Sequence, residues 1–204
     1  MTAVDVTQDG VVDLAYAIDI LGNIFRVDFN TTNYVPKGQK IADLVEEGKN
    51  RRFYNAINVA YSFNGVRPVF HLNVGSGFRA HPLDLDAADL FYSVKDIHVF
   101  EPLPTDFTAI KASDLQDKST PNDTANDKGW FFSLDFSDKG EKVLSKATTR
   151  GGYVFFTSYV PPQDQVESCS PPLGTSFVYA VNLNNGDGLQ TDRHITIQAT
   201  GIAP

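Results

Sequence analysis

The chain has 204 residues, 42% of them hydrophobic and 21% charged, so it is long enough to bury a core of ordinary globular composition. Its 17 Lys and Arg stand against 25 Asp and Glu, and the net charge of -8 without any basic stripe argues against nucleic-acid binding. No apolar run approaches the ~20 residues of a membrane helix, so we expect no membrane span. The single cysteine, Cys169, excludes a disulfide within the chain and a cysteine-based zinc site.

The first informative segment is the nine-residue stretch Asp5 to Asp13, whose oxygen ligands are spaced as in a calcium loop. A hard cation such as Ca²⁺ takes about six to eight oxygen ligands, and a glycine at the sixth position allows the sharp bend of such loops. The candidate metal ligands are the side chains of Asp5, Thr7, Asp9 and Asp13 and the backbone carbonyl of Val11, with Gly10 at the bend. Thr7 is a weaker ligand than Asp or Asn, which lowers the affinity that we expect.

The residues after this loop predict a strand and not the helix of an EF-hand. An EF-hand needs a bidentate Glu at the twelfth position, where this chain has Tyr16. Leu14, Tyr16 and Ile18 alternate with smaller residues, which is the pattern of a strand. A plain hairpin turn at Asp9-Gly10 is the alternative reading of the loop and needs no metal.

Most of the remaining chain reads as short strands rich in Val, Ile, Phe and Tyr and bounded by Gly, Pro, Asn or Asp, which predicts an all-β fold. The predicted strands are Val12 to Asp19, Asn23 to Phe29, Phe53 to Phe63, Pro68 to Val74, Phe91 to Val94, Ile97 to Phe100, Trp130 to Phe136, Tyr153 to Val160, Ser176 to Leu183 and His194 to Ala199. Two stretches, Ile41 to Glu47 and Asp106 to Asp117, have helical spacing, and residues 103–128 otherwise read as a polar insertion.

Two hairpin signals favour a β-propeller over a sandwich or a barrel. Asp19 to Asp28 reads as a strand, a tight Gly-Asn turn and a second strand on which Arg26 and Asp28 share one face. Phe177 to Gly186 has the same form and ends in an Asn-Gly turn. At ~40 to 50 residues a blade, this length supplies about four blades, or fewer with insertions.

Several motifs together resemble the C-terminal propeller of the PilC/PilY family, which are adhesins and assembly factors at the tips of bacterial type IV pili. The segments that carry the resemblance extend over the whole chain: Asp9 to Tyr16, Gly22 to Asp28, Gly75 to Leu83, Leu90 to Tyr92, Gly129-Trp130, Gly140 to Leu144, Val154 to Tyr159 and Cys169 to Pro171.

The resemblance implies that residues 1–204 form the C-terminal portion of a quinoprotein-like β-propeller, with most early blades before Met1. It also implies a Ca²⁺ site on Asp5, Thr7, Asp9, Val11 and Asp13, and a non-enzymatic role in pilus assembly, retraction control and surface attachment. The implied location is extracellular, at the bacterial cell surface or pilus tip. The implied partners are minor pilins of the tip, the remainder of the propeller and host or surface ligands.

Motifs for catalysis are weak, and two further readings stay open beside the pilus role. The four histidines have no metal-ligand spacing, Gly75-Ser76-Gly77 is not a nucleophile elbow, and Cys169 has no histidine close in sequence. Cys169 reads as a loop thiol or as half of a bridge to an upstream cysteine. One alternative is a fragment of a quinone-dependent propeller dehydrogenase, which the single tryptophan, Trp130, fits poorly. The other is a structural binding module that calcium braces without regulation.

Overall fold

The computed structural model describes residues 1–29, 35–46, 49, 51–86, 88–119, 127–134, 139–163, 174–190 and 192–197. Among these residues no helix is long and apolar enough to cross a membrane. The strands in chain order are β1 (Thr2–Val4), β2 (Leu14–Ile18), β3 (Asn23–Asp28), β4 (Lys37–Asp43), β5 (Asn58–Asn64), β6 (Arg67–Gly75), β7 (Leu90–Asp96), β8 (Ile110–Lys111), β9 (Gln116–Asp117), β10 (Gly129–Ser133), β11 (Lys142–Val143), β12 (Thr148–Arg150), β13 (Tyr153–Val160), β14 (Thr175–Asn182) and β15 (His194–Ile197).

These strands form three sheets that follow one another along the chain, and we call them blades 1, 2 and 3. Blade 1 has the order β1-β2-β3-β4-β8, and blade 2 has the order β5-β6-β7-β10-β9. Blade 3 has the order β11-β13-β14-β15, with β12 also paired to β13. Four antiparallel strands make up the body of each of the first two blades, β1 to β4 in blade 1 and β5, β6, β7 and β10 in blade 2, as in propeller blades.

The turns between these strands explain why the hairpins form where they do. Gly22 and Gly65 have φ of +93° and +62° at the β2–β3 and β5–β6 turns, and glycine adopts this left-handed conformation without steric cost. The register that follows pairs Ala17 with Phe25 and Tyr61 with Phe70. Each pairing places successive side chains on opposite faces of the blade.

Alternation along blade 2 sends its apolar side chains into two separate cores. Leu72, Val74 and Tyr92 pack with blade 1 residues in one cluster. Phe91 and Phe132, on the opposite face, pack with blade 3 residues in the other. The blades are therefore stacked face to face, with blade 2 in the middle.

The core between blades 2 and 3 is a stack of aromatic rings. The ring centroids of Phe91 and Phe156 lie 3.9 Å apart with planes 4° from parallel, and those of Phe156 and Tyr179 lie 4.6 Å apart at 6°. Trp130 is 2% exposed and its Nε1 donates to the Leu183 carbonyl oxygen at 3.1 Å. Large apolar rings that are stacked and fully buried give this contact much of its stability.

The segment after blade 2's strand β7 crosses back and joins the outer edges of two blades. β8 pairs in parallel with β4 of blade 1, and β9 pairs in parallel with β10 of blade 2. Leu103, Ile110 and Leu115 of this segment belong to the core between blades 1 and 2. We call residues 103–117 the strap, since it adds one edge strand to each blade.

Both helix predictions are wrong where the structure describes the residues. Ile41 to Asp43 end strand β4, where Ala42 and Asp43 pair with β3 on one side and with β8 on the other. Asp106 to Asp117 contains β8, one turn of 3-10 helix at Ala112–Asp114, and β9. The apolar residues of the strap are spaced so that they enter the core between blades 1 and 2. In the sequence, this spacing resembles the periodicity of a helix.

Most strand predictions match, and one does not. Residues 97–100 form no strand, because the chain turns there and the His98 carbonyl oxygen accepts a hydrogen bond from Arg26. The run predicted from Phe53 becomes a strand only at Asn58. The strands β1, β4, β8, β9, β11 and β12 have no counterpart in the sequence-based prediction. Cys169 and the end of the chain lie outside the described residues.

A buried histidine makes the stability of blade 2 depend on pH. His71 is 1% exposed, and its Nε2 lies 2.8 Å from Ser62 Oγ. Burial and the positive charge of Lys95 lower the pKa of His71 from 6.5 to about 4. The unfolded chain therefore binds a proton that the folded chain does not, so stability is lost as pH falls from about 6.5 to about 4.

We expect His71→Gln to flatten the pH dependence of the unfolding free energy in this window. The test is urea unfolding at pH 7, 5.5 and 4.5 for both proteins, because comparison with the variant removes the contribution of the carboxylates. Equal pH slopes for the two proteins would show that His71 does not carry the effect.

Candidate metal centre

The predicted calcium loop, residues 5–13, connects β1 to β2 at one end of blade 1. The backbone of Asp13 closes the hairpin: its N–H donates to the Val4 carbonyl oxygen at 3.0 Å, and its carbonyl oxygen accepts from the Phe29 N–H at 2.8 Å. The residues after the loop form a strand, as predicted. The sheet therefore holds both ends of the loop in place.

The first half of the loop wraps around the carboxylate of Asp5. Oδ1 of Asp5 accepts from the Asp9 N–H at 3.3 Å, and Oδ2 accepts from the Gly10 N–H at 2.8 Å. Left-handed backbone at Gln8, with φ of +59°, and at Gly10, with φ of +89°, makes this wrap possible. The carboxylate of Asp9 accepts from the Val11 N–H at 2.8 Å, which continues the turn.

The carboxylate of Asp13 points into the loop and faces Thr7. Asp13 Oδ2 accepts three hydrogen bonds, from the Val6 N–H at 2.7 Å, the Thr7 N–H at 3.0 Å and Thr7 Oγ1 at 3.1 Å. Only 8% of Asp13 is exposed. Two oxygens at this separation can bind the same Ca²⁺, since its ligands lie at roughly 2.3–2.6 Å from the ion.

The donor set suits a hard cation, but the structure does not gather all the carboxylates at one point. Among the described residues, no group of three or more His, Cys, Asp or Glu side chains is placed to hold a metal ion. Thr7 and Asp13 lie together, while Asp5 and Asp9 bind backbone N–H groups on the exposed side of the loop. Carboxylate, hydroxyl and carbonyl oxygens are nevertheless the ligands that Ca²⁺ prefers.

A buried ionic network lies behind the loop and joins blade 1 to blade 2. Arg26 of β3 is fully buried and forms ion pairs with Asp28 Oδ1 at 2.6 Å and with Asp96 Oδ2 at 2.8 Å. Its guanidinium also donates to the carbonyl oxygens of His98 and Glu101, at 2.8 Å and 2.7 Å. One side chain of blade 1 thus holds the end of β7 and the turn after it.

The electrostatics of this network keep Arg26 charged and Tyr16 protonated. Burial alone lowers the pKa of Arg26, but the charge of Asp96 and the hydrogen bonds to Asp28 outweigh it, so the pKa is raised. Burial and the neighbouring Asp96 raise the pKa of Tyr16 well above its usual range. The Tyr16 hydroxyl therefore donates to Asp96 Oδ2 at 2.7 Å.

A cavity of about 70 Å³ separates the loop from this network. Thr7 and Asp13 of the loop line one side, Arg26 and Asp28 line another, and residues 99–102 of the turn after β7 complete the wall. Sequence patterning placed Arg26 and Asp28 on one face of β3, which the structure confirms. The sequence analysis missed Asp96. The usable signal was the charged pair Arg26 and Asp28, which occupies inward-facing positions of the otherwise apolar strand β3.

Comparisons with known proteins support the fold. No protein-family model matches the chain, and no curated protein matches it by sequence. Among solved structures, the crystal structure of the Pseudomonas aeruginosa PilY1 C-terminal domain matches with a TM-score of 0.70 at 15% sequence identity. The match covers 91% of this chain and 46% of that chain, so the chain spans less than half the length of that domain. The predicted fold class, all-β with propeller blades, is confirmed.

Proposed function

We propose that this chain is a calcium-binding, non-enzymatic part of a protein at the tip of a bacterial type IV pilus. In this role it acts outside the cell in pilus assembly, retraction control and surface attachment. The observation that carries the proposal is the likeness of the three stacked blades to the PilY1 C-terminal domain. The loop at residues 5–13 supports the calcium part, because its donor atoms are all hard oxygens.

The metal ligands in this proposal are the side chains of Asp5, Thr7, Asp9 and Asp13 and the carbonyl oxygen of Val11. A bound cation would neutralise carboxylates that repel one another in so short a loop. The carboxylate of Asp13 already points inward, so Asp5 and Asp9 have to turn from their backbone partners when the ion binds. Binding then orders the loop, and loss of the ion loosens it.

The outer faces of blades 1 and 3 support the remainder of the propeller as a partner. Ile24 and Arg26 face blade 2, so Phe25 and Val27 face away from it, and both are only half-buried. On blade 3 the outward-facing Ile195 is 64% exposed. Apolar residues on a sheet face are suited to pack against a further blade. Minor pilins of the tip and host or surface ligands are the other partners in this proposal.

The environment of the single tryptophan supports a non-enzymatic role over a quinone-dependent dehydrogenase. Trp130 is buried, stacked with Phe132 and hydrogen-bonded to Leu183, so its ring is committed to the core. It does not offer a face on which a quinone could stack. Incubation with a quinone cofactor and calcium should therefore give no dye reduction with alcohols or sugars.

The pilus role is tested in the bacterium that encodes the full protein. We expect deletion of the gene to reduce the pili recovered by shearing and the number of attached cells. Asp9→Ala in the full protein should alter the amount of sheared pili, the number of attached cells or both, at an unchanged protein level. The control Asp43→Asn should alter neither. Normal piliation and attachment after deletion would refute the pilus role, and a normal Asp9→Ala strain would refute only its dependence on calcium.

A further inference from the structure

We propose that Asp28 is an outer-sphere partner of the cation in the loop: its Oδ2 binds an ordered water in the cavity between the loop and blade 2, and this water links the ion site to the contact between the blades. The inference rests on the proposed calcium site and adds a residue outside the loop. It makes Asp28 a positioning residue and not a direct ligand.

The first observation is a buried carboxylate oxygen without a partner. The side chain of Asp28 is 5% exposed. Its Oδ1 accepts from Arg26 Nε at 3.1 Å and from Nη2 at 2.6 Å, whereas Oδ2 has no hydrogen-bond partner among the residues that the structure describes. Buried carboxylate oxygens are rarely left unpaired, because the lost hydration is not replaced. A water or an ion is therefore expected beside Oδ2.

The second observation is that this oxygen belongs to a side chain lining a cavity shared with the loop. The volume of about 70 Å³ exceeds the roughly 10–15 Å³ that one water centre needs. Thr7 and Asp13, two of the proposed ligands, line the same cavity as Asp28. A water bound to Asp28 Oδ2 would therefore lie in the same cavity as two of the proposed ligands.

The charges around the cavity favour a cation nearby. The positive charge of Arg26 is shared between Asp28 and Asp96, so these three groups together carry an excess negative charge. Asp13 adds a second carboxylate to the lining of the cavity. Metal sites commonly use such an outer carboxylate to orient a bound water or a ligand.

Through Arg26, the ionic network connects Asp28 to residues of blade 2. Arg26 binds Asp28 and, with its other nitrogens, Asp96 and the turn after β7. A change at Asp28 on ion binding is therefore passed to the contact between blades 1 and 2. Because linkage is reciprocal, changes in that contact should alter calcium affinity by the same factor.

The test is calcium titration by calorimetry of the full chain and of two variants that each remove one negative charge. Asp28→Asn keeps the shape of the side chain but removes the carboxylate. Asp43→Asn is the matched control, since Asp43 pairs with Asn23 at the opposite end of β3 and its ion pair with Lys40 is partly exposed. We expect Asp28→Asn to weaken calcium binding about tenfold and the control to leave it unchanged.

The outcomes separate this inference from the proposed function. If the unmutated chain binds no calcium, this inference and the calcium part of the proposed function are both overturned, while the pilus role is tested separately by deletion of the gene. If it binds calcium and Asp28→Asn binds it equally well, only the role of Asp28 is overturned, even when urea unfolding without calcium shows that the variant is less stable. Should Asp28→Asn not fold, a calcium-bound crystal of the unmutated chain decides: a water within hydrogen-bond distance of Asp28 Oδ2 supports the inference, and an empty cavity or direct ligation by Asp28 overturns it.

Discussion

Calcium at a hundredfold excess over its dissociation constant should stabilise the unmutated chain by about 2.7 kcal/mol, and Asp9→Ala should abolish this gain. For a chain of this size the gain corresponds to a rise of about 5–10 °C in the unfolding temperature. Asp9 is the residue of choice, because its carboxylate is exposed and, within the described part of the chain, accepts a hydrogen bond from only one group, the Val11 N–H. Its removal takes away a proposed ligand with little effect on the chain without calcium.

The measurement is thermal unfolding with calcium and with a chelator, for the unmutated chain, Asp9→Ala and Asp43→Asn. We expect the control to keep the full calcium response. Asp13→Ala should lose the response as well, but it should also unfold earlier in chelator, since Asp13 Oδ2 holds three donors of the loop. An unmutated chain that melts identically in calcium and in chelator would refute the metal site and favour the plain turn.

Arg26→Ala should destabilise the chain by about 3–5 kcal/mol, which is the larger of the two stability effects. The loss arises because Asp28 and Asp96 stay buried while their shared cation disappears. The carbonyl oxygens of His98 and Glu101 lose their donor in the same step. Urea unfolding in chelator measures this effect independently of calcium.

A double-mutant cycle shows whether the loss comes from the network or from the space that the side chain fills. In Arg26→Ala combined with Asp96→Asn, one uncompensated charge is gone, so the combined loss should be clearly smaller than the sum of the single losses. Arg26→Lys keeps the positive charge but lacks the planar guanidinium. Its free energy of unfolding should therefore lie between those of the unmutated chain and Arg26→Ala. Additive losses in the cycle would contradict the ionic account.

The parts of the fold that the sequence predicted are those with strong local signals. β2, β3, β13 and β14 combine alternating apolar residues with turn residues at their ends, so their positions follow from short stretches of chain. β8 and β9 have two residues each and exist only because blade edges are available to them. No local pattern could have predicted them.

In the candidate site, too, only the features with a local sequence signal could be predicted. The ligand spacing between Asp5 and Asp13 can be read from nine consecutive residues, and so can the sharp turn at Gly10. Asp96 lies 70 residues from Arg26, and only the stacking of the blades brings the two together. The cavity behind the loop is formed by that stacking, so no sequence motif could predict it.

The strap has a mechanical consequence for any protein that bears load. Because residues 103–117 pair with an outer strand of blade 1 and of blade 2, pulling the two blades apart has to unzip at least one of these pairings. The same motion draws Ile110 and Leu115 out of the shared core. Force that separates these blades thus has to break backbone hydrogen bonds and apolar contacts of the strap at the same time.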